Sequence, residues 1–133
     1  MNKPILNNQI TSQTKKGILA IERRKYPRYV VELPFDYTRI DGKEIYGGIV
    51  FNASEGGILV YLPERIEIGA LLQIEIIYMK GLELDGVKAI SKVVWSDLAA
   101  RESWEEQKYG LQFQYIDEEN YKRLMALLRE IGK

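Results

Sequence analysis

Cysteine and histidine are both absent from the 133 residues. The first absence excludes disulfides, thiol nucleophiles and thiolate zinc sites. The second removes histidine-based triads, histidine metal sites and the commonest general base near neutral pH. Acid–base chemistry would fall to carboxylates, lysine and tyrosine, and no spacing of these marks an active site. Long apolar runs are also missing: none approaches the roughly 18 residues that span a bilayer. Residues 1–8 carry no apolar signal-peptide core. The expectation is a cytoplasmic, non-enzymatic protein with no cofactor, no metal and no membrane insertion.

What is present is an ordinary globular balance, 46% apolar and 29% charged, in a length that suits one domain. Net charge is zero, but it is unevenly spread. Lys15, Lys16, Arg23, Arg24, Lys25 and Arg28 face a single acid, Glu22, so residues 15–28 carry +5 and the remainder −5. A basic segment on a neutral chain suits a small anionic ligand or a solvated linker. It does not suit a nucleic-acid polymer, which favours a basic surface overall.

Residues 1–16 are polar and without period, which predicts a flexible N-terminal arm before a domain at 17–133. The short apolar stretch Gly17-Ile18-Leu19-Ala20-Ile21 could dock on that domain. From Tyr29 the period becomes two: Val31, Leu33, Phe35 and Tyr37 alternate with polar residues, which fits a half-buried strand. Pro34 places it at an edge or a bulge, and Asp41-Gly42 suggests a positive-φ hairpin turn. Further strands are predicted over Glu44–Phe51, with a bend at Gly47-Gly48, then Ile58–Leu62, Leu71–Tyr78, Leu84–Trp95 (bent at Gly86) and Tyr109–Ile116. Ser96–Lys108 reads as an exposed acidic loop. Tyr121, Leu124, Met125, Leu128 and Ile131 recur at helical spacing behind an Asp117 N-cap. These elements predict a mainly β protein: a six-stranded antiparallel, Greek-key-like β-barrel with a C-terminal amphipathic α-helix.

Two short motifs carry chemistry. Arg24-Lys25-Tyr26-Pro27-Arg28, preceded by Arg23, presents guanidinium forks that suit phosphate oxygens and the O6/N7 edge of guanine. Pro27 stiffens the segment. Asn52-x-Ser54-x-x-Gly57 offers an amide and a hydroxyl at alternate positions, with Gly57 permitting positive φ or close backbone approach. Taken alone, this hexapeptide reads more readily as a turn bonded to its own backbone.

Together the motifs, with Asn52 lying 24 residues after Arg28, resemble the PilZ domain family. The resemblance spans about Glu22 to Ile131 and extends to Ala89–Trp95, Tyr109–Phe113 and the closing helix. It implies a barrel that binds cyclic di-GMP on its outer face. Arg24 and Arg28 would grip phosphates and guanine, Asn52 and Ser54 would hydrogen-bond a guanine, and Gly57 would keep the backbone clear. Arg23 stands where the family associates an arginine with an intercalated ligand dimer. The implied protein is a stand-alone, ligand-switched receptor signalling to an unidentified protein partner. Motility, adhesion, exopolysaccharide synthesis or biofilm formation is the kind of process controlled. The alternative is a PilZ-like protein–protein adaptor that binds no nucleotide.

The remaining candidates favour structural roles. Trp95 and Phe113 could stack on bases, but their strand positions place them in the core. Trp104 either meets a partner or folds back on the barrel. Asp97, Glu102, Glu105 and Glu106 read as a solvated acidic loop rather than a metal site.

Overall fold

A computed structural model describes residues 26–97 and 107–133. The expected arm at 1–16, Arg23, Arg24, Glu102, Trp104, Glu105 and Glu106 all lie outside the described residues. The elements are β1 (Tyr29–Arg39), β2 (Tyr46–Ala53), β3 (Gly57–Leu62), β4 (Leu71–Lys80), β5 (Glu83–Asp97), β6 (Gln107–Tyr115) and α1 (Glu118–Ile131). The strands pair antiparallel in the cyclic order β1-β2-β3-β6-β5-β4 and close into a barrel. This is the expected fold.

Period-two alternation fills the interior. Phe35 and Tyr37 of β1, Leu72, Ile74 and Ile76 of β4, and Val87, Ala89 and Val93 of β5 are all buried. Tyr109 and Leu111 complete the core from β6. The Tyr37 hydroxyl donates to the Glu64 carboxylate at 2.8 Å. Burial first, and then that carboxylate, pushes the phenol well above the usual tyrosine range. Tyr109 donates to the Glu64 carbonyl and accepts from the Ile66 amide, which ties the β3–β4 connection to β6.

Several local expectations are revised. Pro34 is an exception and keeps the edge-or-bulge position expected of it. It pairs with Ile49 beside the register shift between Val30 and Leu33, and the pairing of β1 with β4 begins only at Phe35. Gly42 is not in the positive-φ region; among the described glycines Gly69 and Gly81 are. Gly48 lies within β2, where a Cβ would stand 2.6 Å from the Phe35 ring, so it makes room for core packing rather than a bend. β5 pairs with β4 without interruption through Gly86. The acidic loop is shorter than expected, because Ser96 and Asp97 pair with Tyr109 and Lys108, and Gln107 is buried.

Helix α1 begins at Asp117, whose carboxylate accepts from the Asn120 amide at 2.8 Å. It packs on β5 and β1 through buried Leu124, Leu127 and Leu128, with Met125 partly buried. Asn120 Oδ1 accepts from the Lys88 amide, which fixes the helix start against β5. Among the described residues no helix is long and apolar enough to cross a membrane.

Candidate functional site

The β1–β2 hairpin brings the two motifs together. Tyr29 pairs with Ala53 and Val30 with Asn52, so Arg28, one residue ahead of Tyr29, adjoins the end of β2 where Ser54 begins the turn. Tyr26, inside the arginine motif, covers that turn: a Cβ built on Gly56 would stand 3.1 Å from its ring. Arg28 is exposed and Asn52 half-buried.

The turn is held by its own bonds. The Ser54 amide donates to the Gly57 carbonyl at 2.9 Å, and the Ser54 hydroxyl donates to the same oxygen at 3.2 Å. The hydroxyl also accepts from the Gly56 amide at 3.2 Å. Its proton is therefore engaged, and the lone pair left over can receive a donor such as a guanine N–H. The Gly56 carbonyl accepts from the Phe113 amide, which anchors the turn to β6. Gly57 serves close approach: a Cβ there would lie 2.2 Å from the Leu111 carbonyl. The neighbour that demands glycine is β6. Asn52 makes no side-chain hydrogen bond among the described residues, so its amide keeps two donors and an acceptor for a ligand edge.

Two β-bulges shape the face around the turn. Between Val50 and Asn52, β2 advances two residues while β3 advances one. Phe51 is the extra residue. Val50 and Ala53 point inward, and Phe51 and Asn52 both point out. Without the bulge, alternation would turn Asn52 into the barrel alongside Val50. The second bulge, between Val93 and Trp95 of β5, does the same for Trp95. Trp95 is 45% exposed, so it is not a core residue, contrary to its place in the alternating pattern. Phe113, by contrast, packs against the core.

The register then aligns Asn52, Leu59, Gly110 and Trp95 in one row across β2, β3, β6 and β5. Gly110 has no side chain, and Leu59 and Trp95 lean over it from either side. Three strand spacings separate Asn52 from Trp95, about 14 Å. Phe51 and Tyr61 stack obliquely nearby, with ring centroids 4.6 Å apart and the Lys108 ammonium over Tyr61. Lys92 lies in the neighbouring row beside Gln112. The face thus combines an amide, exposed aromatic surface and cations, a set that suits a flat anionic heterocycle.

The turn is also wired to the helix. Tyr121 donates its hydroxyl to the Glu55 carboxylate, between Ser54 and Gly56. That carboxylate raises the Tyr121 phenol above the usual range. Sequence period assigned Tyr121 only to the apolar face of α1. Among the described residues no group of three or more acidic side chains could hold a metal ion.

A sequence profile of the PilZ domain matches residues 22–130. The chain belongs to the PilZ domain family. No curated protein matches it in sequence. Among solved structures it is similar to the inhibitor of motility MotI/DgrA of Bacillus subtilis, at 22% identity and a TM-score of 0.66. That match covers 85% of this chain and 53% of the Bacillus protein, so the chain spans about half the length of that relative. It is also similar to the PilZ domain of Escherichia coli YcgR with c-di-GMP: 14% identity, TM-score 0.63, covering 84% of this chain and 92% of that one. The MrkH–c-di-GMP complex of K. pneumonia matches at 17% identity and a TM-score of 0.66, covering 84% of this chain and 52% of the other. At these identities the likeness establishes the PilZ fold.

Proposed function

We propose that this PilZ domain is a non-catalytic receptor for cyclic di-GMP that signals to a protein partner. The observation that carries the reading is the β1–β2 register, which sets Arg28 and Tyr26 of the arginine motif against the Asn52–Gly57 turn. Arg23, Arg24 and Arg28 supply the positive charge for two phosphates and for guanine O6/N7 edges. Asn52 and the Ser54 lone pair take a guanine edge. Trp95, at the far end of the Asn52 row, offers a stacking surface for a base. Two neighbours were solved with c-di-GMP, which supports the ligand class.

The switch is electrostatic. The cations of residues 15–28 repel one another until phosphates neutralise them. Ligand binding draws the arginines to the Asn52–Gly57 turn, and the Tyr121–Glu55 bond carries the change from the turn to α1. Calorimetric titration with cyclic di-GMP tests the reading, beside an Arg24→Ala, Arg28→Ala double variant. The expected result is binding at micromolar Kd or tighter that is lost in the variant, with the stoichiometry reporting whether Arg23 supports one ligand or two. No binding by the wild type overturns it and leaves the adaptor reading, which the engagement of the Ser54 hydroxyl within its own turn favours.

A further inference from the structure

The barrel carries a concavity of about 400 Å³ away from the Asn52–Trp95 row. Register places two outward rows beneath it: Thr38, Gln73, Ile90 and Tyr115 in one, and Asp36, Glu75 and Lys88 in the other. Ile45, Ile90 and Tyr115 give the groove an apolar floor, and Ile45 and Tyr115 are 71% and 63% exposed. Asp36, Glu75 and Asp117 against Lys88 give its lining a net charge of −2.

An apolar floor with an acidic lining selects an occupant with an aliphatic centre and basic flanks. The chain contains such a segment. Ile18, Leu19 and Ile21 are preceded by Lys15 and Lys16 and followed by Arg23, Arg24 and Lys25, with Glu22 the one acid. Five positives against one negative give residues 15–25 a charge of +4.

The point where the described chain begins allows the match to be made within one molecule. Tyr26 covers Gly56, and the Gly56 carbonyl bonds the Phe113 amide at 3.0 Å. Phe113 is two residues from Tyr115 on the groove floor, about 7 Å along the strand. Ile21 precedes Tyr26 by five residues, a reach of up to about 17 Å. We propose that this groove is the seat of the chain's own residues 17–25 in the ligand-free protein. Ile18, Leu19 and Ile21 lie on Ile45, Ile90 and Tyr115, and the flanking cations face Asp36, Glu75 and Asp117. The same arginines then have two anionic destinations, the groove and a ligand at the Asn52–Gly57 turn.

The chain has no cysteine, so disulfide trapping in the full-length protein gives a clean test. Leu19→Cys is combined with Gln73→Cys in the groove, or with Leu82→Cys on the β4–β5 hairpin tip, where Leu82 is 97% exposed. Mild oxidation should join the thiol introduced by Leu19→Cys to the groove position at least ~10-fold faster than to the tip, because docking raises the local concentration. The rate should fall in 1 M salt and on adding Asp36→Lys and Glu75→Lys, with folding verified by circular dichroism. Lys88→Cys provides a second groove position should Gln73→Cys disturb the sheet. Equal rates at groove and tip overturn the proposal. Products that are disulfide dimers, forming faster at higher protein concentration, also overturn it by assigning the groove to a second copy. Trapping needs no nucleotide, so its failure leaves the receptor reading standing, and the calorimetry is decided separately.

Discussion

Gly57 and Trp95 illustrate how single positions divide between fold and ligand. At Gly57 the nearest atom to an added methyl is a backbone oxygen of β6 at 2.2 Å, which cannot yield without moving the strand. Gly57→Ala should therefore destabilise the free protein by about 1–3 kcal/mol, read from urea unfolding without ligand. An unchanged midpoint would show that the glycine matters only to the ligand. Trp95 makes the converse prediction. In a Trp104→Phe background its emission should be red-shifted and readily quenched by acrylamide, as its 45% exposure requires, and cyclic di-GMP should shield it. Blue-shifted, protected emission before ligand is added would return the ring to the core. The sequence made Asn52 and Ser54 visible as candidates. It could not show that Ser54 spends its proton on Gly57, which depends on how tightly the turn closes.

Strands and helix were legible because period two and period 3.6 are written in the apolar residues themselves. The bulges were not. One extra residue in β2 or β5 leaves composition and pattern unchanged while rotating every following side chain by one face, which is why Trp95 counts as interior on paper and stands outside in the barrel. The loop boundary at Gln107 was hidden for a related reason, since a glutamine gives no apolar signal although it is buried beside Leu62. The helix start offers a pH test. The Asn120 backbone N–H, followed by its side-chain amide, holds the Asp117 carboxyl below its usual range. A lowered folded value means that its contribution is complete above about pH 4 and is lost as pH falls through the folded value. Wild-type stability should thus decline more steeply below about pH 4 than that of Asp117→Asn, which can still cap the helix but does not titrate. Parallel declines in thermal melts would remove Asp117 from the acid response.

For the molecule as a whole, the hairpin joining the two motifs turns their chain distance into a contact. Twenty-four residues separate Arg28 from Asn52, yet β1 and β2 fold back so that they become neighbours. Ligand binding should then act on global stability. With cyclic di-GMP at 100 times its Kd, the native state gains about 2.7 kcal/mol, a rise of several degrees in melting temperature that the Arg24→Ala, Arg28→Ala variant should lack. An equal rise in both would place the ligand away from the arginines.

Closure of the barrel has a consequence for how a partner engages it. Each of the six strands has a neighbour on both sides, so no strand leaves its whole length unpaired, and stretches such as Tyr29–Pro34, which β4 does not pair, are short. Recruitment by strand addition, the route open to many signalling domains with a free rim, finds only short templates on this barrel. Recognition of its liganded form then rests chiefly on side chains. A partner therefore distinguishes states by surface chemistry more than by main-chain templating, and the same closure denies a growing cross-β aggregate a long starting edge.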